Sequence, residues 1–231
     1  LDGTRQAAER LTVSWGYLTS RILYTQFVVS YFGQLRRALE GAAESAVDYQ
    51  KKIAEITTIA PEGQTFGTIS GTVRNLAETY NVPLIEEAAA LYQTYSNGII
   101  SAAEATQFLS EANRFAKATN SSTANSVDLL SGAIKSFGLS TADTGKAAGV
   151  LFEAIRAGRI TAGEFGSTLG RVGPRAAELG LSLEETAGAL AAITVRGVKT
   201  SEAITQLNGI LTALSKPTDE MRAALDKLGF S

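Results

Sequence analysis

Few residues in this chain can do chemistry, and their types and spacing limit what that chemistry is. The 231 residues include no cysteine and no histidine. Disulfides, thiolate nucleophiles, the usual base near neutral pH and the commonest zinc ligand are therefore absent. Among the carboxylates, Glu86-Glu87 and Glu184-Glu185 stand side by side. Adjacent residues do not face one another on a helix, so neither pair suits the acid and base of a glycosidase. Each stands where a first helical turn is expected, and the positive end of the helix dipole accounts for it. Gly166, Gly170 and Gly173 suggest a phosphate loop, but no lysine-hydroxyl ending follows and no strand precedes them. Small residues at that spacing instead let a second helix approach closely. Arg156, Arg159, Arg171 and Arg175 form a modest basic cluster, read as a solvated helix face with phosphate binding as the alternative. Asn120-Ser121-Ser122 fits the glycosylation pattern and reads as a loop between helices. No residue is assigned a catalytic, cofactor-binding or metal-binding role, and no cofactor is expected.

Composition places the chain among globular proteins. At 45% hydrophobic and 19% charged residues, it can bury a real core. Its net charge of −2 gives no sequence-wide basic field, so no stable nucleic-acid binding is expected of it. It begins at Leu1 rather than at a methionine, which predicts a segment of a longer polypeptide.

The elements that position these residues are short amphipathic helices. Thr161, Ser182, Thr200 and Thr218 stand where helices should begin, and Gly158, Gly180, Gly197 and Gly229 where they should end. After Pro61 the pattern predicts helices over 67–80, 84–96, 102–118, 123–137, 141–157, 162–179, 183–196, 201–215 and 219–228. Pro174 should kink or split the helix over 162–179. Ser101 with Glu104, Thr161 with Glu164, and Ser182 with Glu185 read as capping boxes, and Ser140 with Asp143 as a shorter version. No segment shows sustained period-two alternation, so no sheet is expected. Leu139 to Leu151 matches Leu181 to Ile193, with Thr144 over Thr186 and Ala147 over Ala189. Two architectures fit this repetition: an array in which each helical hairpin leans on its neighbours, and a compact single-core bundle. The run Ala187, Gly188, Ala189, Ala191 and Ala192 has little bulk to bury, so its helix must approach its neighbours closely, and its surface suits contact with other subunits.

The first 60 residues differ. Leu11, Trp15, Leu18, Ile22, Thr25 and Val29 run into Phe32, Leu35, Leu39, Ala42, Ala46, Tyr49, Ile53 and Ile56, alternating spacings of three and four. That 3.5-residue period is the seam of a coiled coil. The helix either lies across its own domain or pairs with copies of itself, and the period favours pairing. Gly16, Gly33 and Gly41 weaken it by about 1 kcal/mol each relative to alanine. The apolar stretch from Tyr17 to Phe32 is interrupted by Arg21 and Gln26 and closed by Arg36 and Arg37. It falls short of the roughly 20 apolar residues of a membrane span, and no signal-peptide cleavage site follows it. The sequence thus predicts an all-α protein, with a long coiled-coil-like helix over 1–60 and an array or bundle of short helices over 61–231.

One family shows this succession. Ala43 to Ile59 leading into Pro61, Val73 to Ala77, the Pro83 to Tyr95 helix, Gly173 to Gly180, Ser182 to Thr186, Gly197 to Leu214 and Lys216-Pro217-Thr218 with Leu228-Gly229 resemble, in order and spacing, the tail tape measure proteins of bacteriophages. The long ruler helices of that family are missing here. The resemblance implies a structural protein, not an enzyme, that fills the lumen of the tail tube, sets tail length during assembly and leaves when the genome is ejected. It implies a location inside the virion tail, with assembly in the host cytoplasm. The implied partners are tail tube and tail-tip or baseplate proteins and further copies of the chain, three by analogy with six as the alternative. A membrane contact of the full-length protein at ejection is also implied. Two other classes stand beside this reading: a membrane-active helical channel for DNA entry, and a muramidase fused within a tail protein.

Overall fold

Local hydrogen bonds at helix ends set the architecture. The structure, a computed structural model, describes residues 30, 34, 36, 45–219 and 222. Among the described residues every regular element is a helix. They are α1 (45–59), α2 (Phe66–Tyr80), α3 (Leu84–Ser96), α4 (Ala102–Thr119), α5 (Thr123–Ser136), α6 (Thr144–Ala157), α7 (Ala162–Glu178), α8 (Leu183–Thr194) and α9 (Thr200–Ser215), with a 3-10 turn at Thr141–Asp143 before α6. The expected all-α class is observed. Of the helix expected over 219–228 only residues 219 and 222 are described, both helical, with Arg222 N donating to Thr218 O at 2.9 Å; the seam positions from Leu11 to Ala42 lie outside the described residues.

The caps explain the boundaries. Thr161 Oγ1 accepts from Glu164 N at 3.3 Å while Glu164 Oε2 accepts from Thr161 N at 3.0 Å. Ser182 and Glu185 make the same reciprocal pair at 3.1 and 2.8 Å. Asp143 likewise accepts from the Ser140 backbone at 3.0 Å. Ser101 departs from expectation: it accepts from Glu104 N at 3.4 Å, but α4 has no return bond. A further reciprocal cap joins Thr65 and Thr68, with threonine where an acid was sought. Thr200 is not a cap either. It is the first residue of α9, behind Lys199, which has no side chain able to accept. At the far ends, Gly180 and Gly197 take φ of +80° and +92°, the left-handed turn that glycine adopts without strain. Asn81 and Asn120 do the same for α2 and α4.

The chain divides into two compact units, Leu1–Gln50 and Lys51–Ser231. Within the second, the substantial contacts join helices that are neighbours or next but one in sequence, with α6 and α7 the neighbouring pair left out. Helices α3, α5, α7 and α9 form one row and α2, α4, α6 and α8 the other. The most extensive pairing is α5 with α7. Asn125, Leu129 and Ser136 of α5 face Gly163, Gly166 and Gly173 of α7. Both sets of numbers rise together, so the two helices run parallel. Between α6 and α8 the same holds, with Lys146 beside Glu184 and Gly158 beside Ala191 and Thr194. The second unit is therefore an array of stacked hairpins rather than a bundle around one centre. Phe108, Leu129, Leu130, Leu151, Phe165, Leu169 and Leu190 supply its core, all fully buried. Ile53 and Ile56, at the end of the expected coiled-coil seam, are also 0% exposed in this core, whereas Ala46 is exposed and Tyr49 half-buried.

Glycine makes the close approaches. A Cβ on Gly173 would lie 2.7 Å from Ser136 Cβ. Gly158 has φ of −87°, so it does not serve as a left-handed stop. Its place is steric, because a Cβ there would lie 2.9 Å from Thr194 Oγ1 and 3.1 Å from Ala191 Cα. Pro174 was expected to kink or split its helix, and it does not split it: α7 is one element from Ala162 to Glu178. The steric obstacle to helix before proline is partly a clash with the preceding Cβ, and Gly173 has none.

Two substitutions in α7 separate these roles. Gly170 has open space around its Cβ position, so Gly170→Ala should stabilise the fold by about 0.5–1 kcal/mol through helix propensity. Gly173→Ala should instead destabilise it by about 1–3 kcal/mol through overpacking against α5. Urea unfolding of the two variants beside the parent measures both signs.

Candidate functional site

The array brings polar groups together in two places. At the first, Glu87 on α3, Asn113 on α4 and Thr123 on α5 lie within the core, at most 2% exposed. Asn113 Nδ2 donates to Glu87 Oε1 at 2.9 Å, and Thr123 Oγ1 donates to Asn113 Oδ1 at 2.9 Å. Glu87 Oε2 has no partner. Burial pushes the Glu87 carboxyl up from its ordinary value of 4.5 to about 7, against the lowering effect of the Asn113 bond. Glu86, its neighbour, is half-buried and outside this hydrogen-bonded group, and its charge adds a smaller upward push on Glu87. The helix dipole accounts for both carboxylates in the first turn but not for the inward turn of Glu87. The signal was present in the spacing: Glu87 falls in step with Ala88, Leu91, Thr94 and Tyr95, which with Ala90 make up the buried side of α3.

The second place is a cleft of about 590 Å³ between α7, the α8–α9 connection and the start of α9. Arg159, Arg171 and Lys199 line it, with Glu164 the one carboxylate among its walls. Its floor includes Thr168, Thr194 and Thr200, all buried. Thr168 and Thr194 donate to the carbonyls of Phe165 and Leu190 at 2.7 and 2.9 Å, which fixes their hydroxyl oxygens in place. Bonds from the Thr161 backbone and hydroxyl hold the Glu164 carboxyl below its usual range, so it remains charged as a cap.

The four arginines noted in the sequence thus separate. Arg156 pairs with Glu153 at 2.6 Å, and Arg175 donates to Thr212 of α9 at 2.6 Å. Only Arg159 and Arg171 reach the cleft. Lys199, which sequence reasoning passed over, joins them because the turn at Gly197 carries it there. Glu184 reaches Lys146 of α6 at 3.5 Å, while Glu185 caps its own helix. Gly166 and Gly173 face α5 as expected of close approach, whereas Gly170 meets nothing within 4 Å. Asn120 ends α4 and Ser122 caps α5, so the apparent sequon is a helix–helix junction. Gly149, Ala154, Ala187, Gly188, Ala191 and Val195 line an apolar groove of about 730 Å³ between α6 and α8. Among the described residues no group of three or more acidic side chains is placed to hold a metal ion. Nor is any helix among them long and apolar enough to cross a membrane.

Stacked hairpins fixed by caps and glycine contacts define the chain as an all-helical scaffold. The sequence pattern of the family described as "Phage-related minor tail protein" matches residues 70–231, and the chain belongs to that family. It is similar to the tape measure protein of Pneumococcus phage Dp-1, with 32% identity over 108 residues. The matched part is 47% of this chain and 9% of that protein, so the chain spans less than a tenth of its relative's length. No solved structure matches.

Glu87 gives a pH dependence whose sign is fixed. Below pH 4.5 the carboxyl is neutral in both folded and unfolded chains. Between 4.5 and about 7 the unfolded chain releases a proton that the folded one keeps, so stability falls as pH rises. That loss is about 3 kcal/mol and complete above pH 7. The caps at Asp143, Glu164 and Glu185 act oppositely, since their lowered values contribute stability that is lost on acidification. Glu87→Gln should remove the downward slope between pH 4.5 and 7 and leave the protein more stable than the parent at about pH 8. Urea unfolding across that range measures it, and an unchanged slope would assign it elsewhere.

Proposed function

We propose that this chain is a non-catalytic structural segment of a tape measure protein, lying inside the tail tube. The observation that carries the reading is the family match over a fold that is compact rather than extended. A helix advances about 1.5 Å per residue, so extended helix measures length well and a stack of short hairpins measures it poorly. The segment then anchors or assembles the protein, while extended helix elsewhere sets tail length. The full protein is assembled in the host cytoplasm and leaves the tube when the genome is ejected, with a membrane contact of the full-length chain at that step. The segment itself holds no nucleic acid stably. Its domains are the coiled-coil-like helix over 1–60 and the helical array over 61–231.

Self-association runs through the seam before Tyr49. Three copies in a closed ring is the proposed symmetry, with six the alternative, and tail tube and tail-tip or baseplate proteins are the other partners. The glycine- and alanine-lined groove between α6 and α8 supports this, since small side chains admit a neighbour closely. Inside a tube, the high local concentration drives a weak seam to pair.

The test uses seam residues that precede the array in sequence. Leu35→Asp with Leu39→Asp should abolish concentration-dependent association in sedimentation velocity while leaving helicity and thermal unfolding of the array unchanged. Ile53 is unsuitable, because aspartate at a fully buried position would unfold the array itself. Unchanged sedimentation of the double variant beside an associating parent would show that the seam packs within its own chain.

A further inference from the structure

We propose that the cleft formed by Arg159, Arg171 and Lys199 binds a phosphate group. Three cations open onto one cavity of about 590 Å³ and meet a single carboxylate. Among the described residues none of the three forms an ion pair, unlike Arg114, Arg156, Lys52 and Lys146. That difference is the first observation. Like charges that share a cleft repel, so their convergence is favourable only when an anion neutralises them. The second is the single carboxylate, Glu164. Bonds from Thr161 hold it at the start of α7, and its single charge leaves the three cations in excess.

The walls select the anion. Two guanidinium forks match paired oxygens on a phosphate or carboxylate, and the lysine adds a point charge. Ser167 and Ser201 contribute hydroxyls to the walls, and α9 brings its first turn there without a side-chain cap. Donors arranged on several sides of a cavity this large suit a group with three or four oxygens better than a flat carboxylate with two. No aromatic side chain lines the cleft, so no platform exists on which a base would stack. Recognition is of the phosphate and not of a nucleoside. Three cations make few phosphate contacts beside the roughly six to ten that hold a duplex protein-bound. The site therefore takes a small phosphate compound, a single backbone phosphate or a lipid headgroup, and does not make the chain a DNA-binding protein.

The test titrates the 231-residue chain with pyrophosphate at low ionic strength by calorimetry. In separate arms a short single-stranded oligonucleotide and phosphatidylglycerol vesicles replace it. Saturable pyrophosphate binding is expected, weakened about tenfold or more in Arg159→Gln with Arg171→Gln and unchanged in Arg156→Gln, whose partner lies outside the cleft. Both target side chains are exposed, so the double variant should fold, and circular dichroism checks this. If it does not, Lys199→Gln with the same loss of binding serves instead. Tighter binding of the oligonucleotide or the vesicles, lost in the same variants, identifies the source of the phosphate and supports the site. Absence of binding in all three arms, equal binding by the cleft variants, or tighter binding of a short poly-glutamate peptide than of pyrophosphate would overturn it.

Discussion

Close parallel approach between next-but-one helices is the constraint on which the rest of the array depends. Where α7 meets α5, three glycines face Asn125, Leu129 and Ser136, and the tightest leaves no room for a methyl group. Where α6 ends, Gly158 meets the backbone of α8 in the same way. Backbones this close exclude water and bring Leu129, Phe165, Leu169 and Val172 into one buried layer. Each buried side chain of that size contributes about 1.5–3 kcal/mol. Helices so rich in alanine and glycine have little area of their own to bury, so the stack is stable only if consecutive hairpins stay in register.

Register, in turn, is fixed at the helix ends. Reciprocal caps at Thr161, Ser182 and Ser140 start α7, α8 and the turn into α6, while left-handed residues at Asn81, Asn120, Gly180 and Gly197 end α2, α4, α7 and α8. A cap shifted by one residue would rotate a helix by about 100° and turn its glycine face away from its partner. The same caps account for Glu185, one of the carboxylates that first suggested chemistry, and for Glu164 and Asp143. Glu164, Glu185 and Asp143 are ionised because backbone and hydroxyl donors hold them so, which is a structural use of charge.

What was legible in the sequence follows this division. Caps and stops act within four residues, so the helix boundaries and the all-α class could be read directly, and Ser182 with Glu185 needed no tertiary information. Three features depended on distant partners and could not be read locally. Gly158 looked like a helix stop, but its role is set by Ala191 and Thr194. Glu87 looked like a dipole partner, but Asn113 and Thr123 draw it inward. Ile53 and Ile56 carried the period of a coiled-coil seam, yet they fill the chain's own core. The choice between array and bundle belongs here too, because only the pairing of α5 with α7 and α6 with α8 decides it. Pro174 failed as a helix breaker for a local reason, the glycine before it, which the sequence did contain.

The role proposed for this stack within a family of tail proteins is to hold position rather than to span distance. The most direct measurement is an electron-cryomicroscopy reconstruction of an assembled tail containing this protein, calculated without imposed symmetry. The account predicts density inside the tube that fits α2 to α9, with α5 and α7 parallel and several copies around the tail axis. Density for the array on the outer surface of the tube, or α5 and α7 antiparallel within it, would contradict the account.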